Sequence, residues 1–406
     1  MDYQPLLARR AARPVEALFR AGAASPQGVI PLTYGFPDPG SFPIAELIDA
    51  AARMLREHGR EALQYGPIAG PEPFLDLLVR KLRLEGIDVG RDNLLVTSGG
   101  SQGIDLVTHL LVDPGDAIIV EAPTFIGALQ TFRNAEAEIH EVPLDDDGLQ
   151  TAALADLLET LASQGKRPKF IYTIPTFHNP AGVTLARHRR TQLVELARAY
   201  STIILEDDAY SELRLEGEPL PSLYSLDPEG VVIQVRTFSK ILAAGLRLGY
   251  LVAPRALVPR LLPLKVDVGT SPFATYLAVA FAGDGAGSLE RLLAHIETLR
   301  AVYRQRRDAM LGALAEYAPP GVSWTRPQGG FFTWLTLPDG LDAGALLPQA
   351  AAAGVTYIPG ASYFARSPGA AHLRLAYSFL PADQLVEGVR RLCRVIGEAG
   401  RVIRHA

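Results

Sequence analysis

Cysteine is nearly absent from this chain, and its scarcity excludes two kinds of site. Cys393 is the only cysteine among 406 residues, so neither an internal disulfide nor a cysteine-based metal site can form. We therefore expect a reducing, cytoplasmic setting and no bound metal. Long apolar runs are absent too, since none reaches the roughly 20 residues of a membrane-spanning helix, and the amino terminus lacks a signal-peptide pattern. No membrane partner is expected.

An excess of charge of one sign is also lacking. The chain has 39 Lys+Arg against 44 Asp+Glu, a formal net charge of −5 and a pI near 6.0. Because no long basic run occurs, nucleic acid is not expected as a partner. The length and the hydrophobic share of 48% suit a compact protein of roughly two to three domains.

Lysine is the scarcest charged residue, and one lysine has unusual surroundings. Only five lysines occur, so arginine makes up most of the basic residues. Four of them are explained as solvated surface, but Lys240 follows the apolar, β-branched segment 231–236, which predicts a buried strand. Burial favours the neutral, nucleophilic form of an amine, which is the form that an imine-forming lysine requires.

Strand and helix patterns alternate along the first two thirds of the chain. Strands are predicted at 93–97, 117–121, 138–142, 169–174, 202–206, 231–236 and 248–252. Helices are predicted at 44–58, 72–85, 102–111, 125–133, 150–163 and 186–200. This alternation predicts an α/β fold with a mainly parallel, seven-stranded sheet between helices.

The pattern changes after residue 287, where a second unit is expected. A long helix capped by Ser288 leads into short strands at 322–324, 331–335, 355–358 and 373–377 and a closing helix at 382–397. These elements predict a smaller α+β domain. We therefore divide the chain into an N-terminal arm and loop that pack on the small domain (1–45), a large domain (46–287) and a small C-terminal domain (288–406).

Polar, glycine and aromatic residues follow five of the predicted strands. They occupy 98–102, 123–125, 175–179, 207–210 and 237–240. Ligands of such sheets bind beyond the carboxyl ends of the strands, so these segments are expected to surround one site. The glycine-rich segment at 98–103 opens a helix and suits an anion, although a tight strand–helix turn explains it equally well.

Two charged residues complete this predicted site. Asp207 follows a buried strand and needs a cation or strong donors, which either a protonated ring nitrogen or a structural arginine would supply. Arg247 can bind a phosphate through two hydrogen bonds. A lysine amine, an anion site and a buried carboxylate are together what pyridoxal phosphate requires.

Eight motifs extend this hypothesis from single residues to most of the chain. They lie, in order, at 63–67 (LQYGP), 97–102 (TSGGSQ), 121–125 (EAPTF), 177–182 (FHNPAG), 206–210 (EDDAY), 237–240 (TFSK), 245–250 (GLRLGY) and 373–378 (LRLAYS). On these motifs the chain resembles the fold-type I pyridoxal-phosphate-dependent aminotransferases of class I and II. The resemblance is strongest to the subgroup of 2-aminoadipate and kynurenine aminotransferases.

The resemblance implies a role for each matching residue. Lys240 would form the internal aldimine and move the substrate proton, Asp207 would pair with the pyridine nitrogen, and Tyr210 would complete the catalytic set. Cofactor contacts are implied for Gly100, Ser101, Gln102, Phe125, Asn179, Ser239, Arg247 and, from a second subunit, Tyr65. Substrate contacts are implied for Arg374, Asn179, Gly35 and Tyr34, with Arg374 binding the α-carboxylate.

Some positions depart from the family pattern. Phe125 replaces a frequent Tyr at the stacking position, and His178 replaces a frequent Gln and is expected to face solvent. Tyr34 stands where close relatives often have Gly, so its bulk is expected to narrow the substrate pocket. Phe36 and Arg13 are further candidates for substrate contact, although a core or interface role explains Tyr34, Phe36 and Arg13 equally well.

The implied function is the transfer of an α-amino group from an amino acid to a 2-oxo acid, with 2-oxoglutarate as the expected acceptor. A homodimer is implied because Tyr65 would serve a neighbouring site. Elimination, decarboxylation or a biosynthetic tailoring step on the same scaffold is the alternative. A non-enzymatic cofactor-binding regulator is less favoured, because too few residues precede the first motif for a DNA-binding module. Aromatic, branched aliphatic and dicarboxylic donors all stay open.

Overall fold

A large central sheet positions most of the residues of the site. The computed structural model describes residues 1, 3–8, 11, 28–227, 230–283, 288–366 and 368–405, with side chains described as far as residue 401. The strands are β1 Ile30–Pro31, β2 Leu94–Thr97, β3 Ala117–Ala122, β4 Glu138–Asp145, β5 Gly148–Leu149, β6 Phe170–Thr173, β7 Ile203–Asp208, β8 Val232–Thr237, β9 Gly249–Val252, β10 Ser323–Trp324, β11 Phe332–Thr336, β12 Val355–Thr356, β13 Ile358–Pro359 and β14 His372–Ala376. The helices are α1 Ile44–Ala62, α2 Glu72–Leu84, α3 Gly100–Leu111, α4 Ile126–Asn134, α5 Thr151–Ser163, α6 Arg187–Ala199, α7 Val258–Leu261, α8 Pro272–Ala282, α9 Glu290–Tyr317, α10 Ala343–Ala352 and α11 Ala382–His405.

The central sheet has the strand order β2-β9-β8-β7-β6-β3-β4-β5. The pairs from β4 to β8 are parallel, whereas β9 runs antiparallel to both β8 and β2. The mainly parallel sheet is therefore confirmed. Its eighth strand, β5, was not predicted, because two residues in a hairpin with β4 give no periodic signal.

Strand direction brings the five polar segments to one edge. Because β9 is antiparallel to both neighbours, β2 runs in the same direction as β8. The carboxyl ends of β2, β3, β6, β7 and β8 therefore share an edge. The reversed strand β9 begins at that same edge, so the residues just before it, including Arg247, also lie there.

The C-terminal elements form a second, smaller layer. Strands β10, β11, β14 and β13 make an antiparallel sheet, and α9 packs against α11. The short strand β1 pairs in parallel with β12, which holds the segment from residue 30 against this layer. No described helix is long and apolar enough to cross a membrane.

Several boundaries differ from those predicted from sequence. Helix α9 begins at Glu290, and its capping position is Leu289 with no side-chain cap, so the prediction of Ser288 as the cap is wrong. Helices α7, α8 and α10 were not predicted. Their apolar residues follow no clean helical stripe, since α8 is apolar on nearly every face (PFATYLAVAFA), and such a segment gives no amphipathic signal.

Gly249 allows a close approach between β9 and the loop before α3, and this contact is testable. A Cβ on Gly249 would lie 2.7 Å from the carbonyl carbon of Gly99 and 2.8 Å from the carbonyl oxygen of Arg236. Because both neighbours are backbone atoms, we expect Gly249→Ala to lower the free energy of unfolding by about 1–3 kcal/mol. Thermal unfolding monitored by calorimetry measures the change.

Gly312→Ala on the exposed face of α9 is the matched control. No atom lies within 4 Å of the position of its Cβ, and alanine is favoured over glycine in a helix by about 1 kcal/mol. The control should therefore leave the unfolding temperature unchanged or raise it. Equal unfolding temperatures for the two variants would contradict the predicted close packing of Gly249.

Candidate active site

A cavity of about 360 Å³ opens at the carboxyl edge of the sheet. Twelve of the fourteen residues predicted from sequence line it. They are Tyr34, Gly35, Gly100, Ser101, Phe125, Asn179, Asp207, Tyr210, Ser239, Lys240, Arg247 and Arg374. These residues are far apart in the sequence, so the fold itself assembles the cavity.

Lys240 lies just beyond the end of β8 and is partly buried. Its Nζ donates a hydrogen bond to the carbonyl oxygen of Gly35 at 3.3 Å. The pKa of Lys240 is lowered to about 8, chiefly by burial. The positive charges of Arg374 and Arg247 also lower it, and the negative charge of Asp207 raises it by a smaller amount. A substantial share of this amine is thus neutral near physiological pH, as a nucleophilic lysine requires.

Asp207 is a buried carboxylate near the end of β7. Its Oδ2 accepts a hydrogen bond from the hydroxyl of Tyr172 at 2.7 Å. Within the described residues no donor is bonded to the other oxygen, Oδ1. Burial raises the pKa of Asp207 to about 6, while the Tyr172 hydrogen bond opposes that rise. The carboxylate is therefore mainly ionised at pH 7 and suits a cationic ring nitrogen.

The start of α3 forms a cradle for an anion. Gly99 has a φ of +85°, a conformation that favours glycine, and a Cβ there would lie 2.6 Å from Nη2 of Arg247 in its present position. Gly100 and Ser101, in the first turn of α3, and Ser239 line the same cavity. A helix start with an adjacent arginine fits a phosphate group.

Arg374 lies on β14 with only 3% of its surface exposed. Its Nη1 donates to Oδ1 of Asn179 at 3.1 Å, and its Nη2 donates to the carbonyl oxygen of Thr33 at 2.7 Å. Its guanidinium lies 4.2 Å from the ring centroid of Phe332. No carboxylate of the described residues forms an ion pair with it, so a carboxylate ligand would find a buried cation already oriented.

Asn179 and Tyr210 form a polar pair beside this guanidinium. Their side chains are hydrogen-bonded to each other, and burial raises the pKa of Tyr210. The ring of Tyr210 meets the rings of Phe331 and Phe332 edge-on at 5.5 and 5.8 Å. The phenol is therefore fixed in place and stays protonated through the physiological pH range.

His178, directly before Asn179, is buried rather than solvated. Only 1% of its surface is exposed, and its Nε2 lies 3.0 Å from Oε2 of Glu121. Its Nδ1 accepts a hydrogen bond from the backbone N–H of Ala181 at 3.2 Å. The expectation that it faces solvent is wrong, because Glu121 at the end of β3 supplies a buried polar partner that the local sequence does not reveal.

Two predicted cofactor contacts do not line the cavity. The side chain of Gln102 accepts a hydrogen bond from the N–H of Ser98 at 2.7 Å and donates to Oδ2 of Asp267 at 2.8 Å. Tyr65 is 82% exposed and lines a separate surface groove with Pro272. Arg13, a weaker candidate, lies outside the described residues.

Other residues of the cavity were missed by the sequence analysis. Besides Phe36, which was a weaker candidate, they are Thr33, Ile104, Ile174, Ala244 and Phe332. Ala209 and Thr237 also line the cavity, and both fall within the predicted segments 207–210 and 237–240. Most of the missed residues are apolar, and an apolar residue in a strand or loop is indistinguishable from core by pattern alone. Tyr172 was missed for the same reason, because it lies within the buried segment FIYT.

A larger cavity of about 440 Å³ lies on the other face of β7. It adjoins an ion cluster in which Lys81 and Arg236 face Glu85, Asp208 and Glu212. These two cations already have carboxylate partners, and Arg190, which also lines this cavity, donates to the backbone carbonyls of Leu185, Pro175 and Pro221. None of the residues assigned to the cofactor or the substrate lines this cavity. Among the described residues no group of His, Cys, Asp or Glu is placed to hold a metal ion.

Two of the lysines expected at the surface are in fact buried. Lys81 is 2% exposed and Lys265 is 3% exposed. Lys81 pairs with Glu85 and Glu212, and Lys265 pairs with Asp267 at 2.7 Å. The prediction of solvated surface is wrong for these two, because carboxylate partners offset the cost of burying each charged amine.

Comparison with known proteins extends the resemblance over nearly the whole chain. The family model of aminotransferase class I and II matches residues 27–392. Aromatic-amino-acid aminotransferase 1 of Thermococcus litoralis is 41% identical over 373 residues, which cover 91% of this chain and 88% of that protein.

Two solved structures are also similar. The kynurenine aminotransferase of Pyrococcus horikoshii, in complex with PMP, KYN and KYA, has a TM-score of 0.93 and 39% identity over 98% of each chain. LysN, the alpha-aminoadipate aminotransferase of Thermus thermophilus, complexed with N-(5'-phosphopyridoxyl)-L-leucine, has a TM-score of 0.89 and 33% identity. The match covers 99% of this chain and 100% of LysN.

The lowered pKa of Lys240 predicts how its reaction with an aldehyde depends on pH. Only the neutral amine attacks an aldehyde, and it predominates above the pKa of about 8. The rate at which the apoprotein captures pyridoxal phosphate should therefore rise up to about pH 8 and then level off. For an ordinary lysine the rise would continue to about pH 10.4. Stopped-flow absorbance measures the rate.

Two lysine variants serve as controls for this measurement. Lys240→Arg should abolish the absorbance change, because a guanidinium forms no stable imine. Lys166→Arg alters an exposed lysine that pairs with Glu138 and should leave the profile unchanged. A rate in the unaltered protein that continues to rise beyond about pH 9 would contradict the lowered pKa assigned to Lys240.

Proposed function

The chain belongs to the class I and II aminotransferase family, and from this premise we propose which of its residues carry out amino-group transfer. The protein is a pyridoxal-phosphate-dependent aminotransferase that acts on amino acid and 2-oxo acid substrates. The residue assignment rests on one observation: Lys240, Asp207 and Arg374 line the same cavity. Each of the three has a functional group available for a different part of a cofactor–substrate pair.

The residues of the cavity fit pyridoxal phosphate. When bound, this group supplies an aldehyde that accepts the amino group and a ring that takes up the electron pair released at the substrate Cα. We assign Oδ1 of Asp207 to the ring nitrogen, and Asn179 and Tyr210 to the ring oxygen. Phe125 covers the ring face, and Gly100, Ser101, Ser239 and Arg247 hold the phosphate. For Gln102 we assign only its backbone N–H to the phosphate, since its side chain is bonded to Ser98 and Asp267.

Lys240 and Arg374 act on the substrate. Nζ of Lys240 takes the proton from the substrate Cα and later returns it, which a pKa of about 8 permits in both directions. Arg374 binds the α-carboxylate through two parallel hydrogen bonds, a charge-assisted contact of about 1.5–3 kcal/mol. Gly35 has no space for a side chain, since a Cβ would lie 2.5 Å from the ring of Phe332, and its carbonyl oxygen holds Nζ of Lys240.

We propose that the amino donor carries an aromatic side chain. Tyr34 and Phe36 stack at 5.3 Å, and Phe379 meets both edge-on at 5.3 and 6.2 Å; we name these three residues the aromatic wall. Within the described residues, the only cations lining the cavity are Lys240, Arg247 and Arg374. All three already have roles, so a side-chain carboxylate would gain no ion pair there, whereas a ring would gain contacts with the aromatic wall. The relative named aromatic-amino-acid aminotransferase 1 supports the same choice.

We propose 2-oxoglutarate as the acceptor. Its 2-oxo acid group offers Arg374 the same carboxylate contact as the donor does. Its second carboxylate would lie beyond Phe36, which is 46% exposed at the cavity mouth. There the charge would stay hydrated and need no buried cation.

We further propose that the protein is a homodimer in which Tyr65 completes the site of the partner copy. The loop of Tyr65 and the loop before Gly269 carry exposed apolar side chains, among them Leu63 at 72%, Val266 at 87% and Val268 at 60% exposure. The loops that carry them are adjacent, since a Cβ on Gly269 would lie 3.5 Å from the carbonyl oxygen of Gly66. A second copy of the chain would remove this apolar surface from water.

We also propose a division into domains and a cytoplasmic location. An arm at 1–45, a large domain at 46–287 and a small domain at 288–406 agree with the start of α9 at Glu290 and with the pairing of β1 and β12. A cytoplasmic location agrees with the single, buried Cys393, which provides no disulfide.

The half-reaction with a single donor tests the proposed function. Protein loaded with pyridoxal phosphate should convert the cofactor to its amine form when given an aromatic amino acid and no acceptor, and glutamate should react less efficiently. Tyr34→Ala should lower kcat/KM for aromatic donors by about two- to tenfold, as expected for the loss of a ring contact of about 0.5–1.5 kcal/mol. Rapid-scan absorbance follows the conversion.

Alanine as donor is the control for this series, because it has no ring to contact the aromatic wall. Its kcat/KM should change little in Tyr34→Ala. Release of ammonia or carbon dioxide without formation of the amine form would contradict amino-group transfer. A preference for dicarboxylic donors would contradict only the proposed substrate class.

A hybrid dimer tests the role of Tyr65. Tyr65→Ala should weaken cofactor binding by about tenfold or more, as expected for the loss of a hydrogen bond to a charged group, and Lys240→Ala should be inactive. If Tyr65 serves the partner, a hybrid of the two variants contains one site with both residues intact. At limiting cofactor it should then retain about half of the unaltered activity, because one of two equivalent sites is complete.

Differently tagged chains allow the hybrid to be purified, and sedimentation confirms that it is a dimer. If Tyr65 instead acted in its own subunit, the only site with Lys240 in the hybrid would lack it. The hybrid would then bind the cofactor as weakly as the Tyr65→Ala homodimer, which would overturn the assignment.

A further inference from the structure

Tyr172 is a fully buried side chain whose hydroxyl contacts the active-site carboxylate. It lies on β6, and its hydroxyl donates a hydrogen bond to Oδ2 of Asp207 at 2.7 Å. The register pairs Tyr172 with Leu205 on β7, so Asp207, two residues further along, has its side chain on the same face of the sheet. The ring of Phe132 meets that of Tyr172 edge-on at 5.3 Å and limits its movement.

This hydrogen bond makes the two oxygens of Asp207 unequal. Oδ2 is occupied by Tyr172, whereas Oδ1 accepts no hydrogen bond within the described part of the chain and Asp207 lines the cavity. Rotation of the carboxylate away from Tyr172 would leave a buried hydroxyl without a partner, which is unfavourable. One orientation of the carboxylate is therefore selected before any ligand binds.

We propose that Tyr172 is a positioning residue for amino-group transfer: its hydroxyl orients Asp207 so that Oδ1 faces the cofactor ring nitrogen, and it favours the ionised carboxylate. The inference rests on the proposed pairing of Asp207 with that nitrogen. Tyr172 does not touch the cavity itself, so it acts only through Asp207.

The charged surroundings of Asp207 show why a neutral donor matters there. Lys240, beyond the end of β8, favours the ionised carboxylate, whereas Asp208 on β7 and Glu121 on β3 disfavour it. Tyr210, after β7, also faces the carboxylate. Glu121 itself accepts hydrogen bonds from Thr173 and from the backbone N–H of Ile174, and His178 lies beside it.

Among the groups around Asp207, Tyr172 most strongly opposes the rise in its pKa that burial causes. Burial raises the pKa of Asp207 to about 6, and the Tyr172 hydrogen bond is the first of the effects that lower it. The pKa of Tyr172 itself is raised well above its usual value by burial and by Asp207, so the phenol remains a donor throughout the assay range. Without that donor the pKa of Asp207 would be higher, and a larger share of the carboxylate would be protonated at pH 7.

The test compares Tyr172→Phe with a second variant that also loses a buried phenol hydroxyl. Tyr250→Phe is the matched control, because Tyr250 is also buried and its hydroxyl has no hydrogen-bond partner in the described residues. The dissociation constant of pyridoxal phosphate is measured by equilibrium titration of each apoprotein from pH 5.5 to pH 9.

The unaltered protein should lose affinity as the pH falls through about 6, because protonated Asp207 no longer pairs with a protonated ring nitrogen. In Tyr172→Phe the loss should begin about one pH unit higher, as expected when a hydrogen bond to a charged group is removed. The affinity should then be weakened about twofold near pH 7 and by close to about tenfold toward pH 5.5. Tyr250→Phe should follow the unaltered curve.

A double variant shows whether the effect passes through Asp207. In Asp207→Asn the pH-dependent loss near pH 6 should disappear, and adding Tyr172→Phe should produce no new pH dependence. The nitrogen-15 shift of labelled cofactor gives an independent readout: a protonated ring nitrogen in the unaltered protein at pH 7, and a partly deprotonated one in Tyr172→Phe.

Two outcomes would overturn the inference: a Tyr172→Phe curve that superimposes on that of Tyr250→Phe, or an equal loss of affinity at every pH. Failure of the proposed pairing gives a different result. In that case Asp207→Asn alone would leave both the affinity and the nitrogen-15 shift unchanged.

Discussion

An excess of positive charge within a partly buried cavity governs this active site. Lys240, Arg247 and Arg374 meet a single carboxylate, Asp207, so the cavity is electrostatically suited to anionic ligands. Phosphate and carboxylate groups would balance the two guanidinium groups. The same excess explains the chemistry of the lysine, because the two arginines add to burial in lowering its pKa. The groups that bind ligands therefore also prepare the amine to react.

The two faces of β7 divide the acidic residues between different tasks. Side chains alternate along a strand, so Asp207 faces the cavity while Asp208 faces the ion cluster behind the sheet. Arg236 lies 3.2 Å from Asp208 and offsets its charge. The negative charge of Asp208 raises the pKa of Asp207, and a neighbouring cation such as Arg236 opposes that effect. The cluster behind the sheet thus helps Asp207 to stay ionised, although none of its members reaches the cavity.

Much of this site could be predicted from sequence because it depends on strand direction. Five strands end at one edge, and each end is marked locally by glycine, proline or polar residues, so the cavity, Lys240, Asp207 and the family resemblance followed from pattern. What could not be predicted depends on contacts between distant segments. The burial of His178 requires Glu121, and the direction of the Gln102 side chain requires Asp267. Tyr172 and Phe332 look like core residues until the fold places them beside Asp207 and Arg374.

The segment from Thr33 to Phe36 joins substrate selection to chemistry. Its backbone carbonyls hold Arg374 through Thr33 and Lys240 through Gly35, and its side chains Tyr34 and Phe36 form most of the aromatic wall. The segment is anchored by the pairing of β1 with β12 and by the buried Leu32. A donor side chain that packs on the wall therefore presses on the same peptide groups that orient the reactive amine and the carboxylate-binding arginine. In this protein, recognition of the side chain and positioning of the reacting groups are properties of one short stretch of backbone.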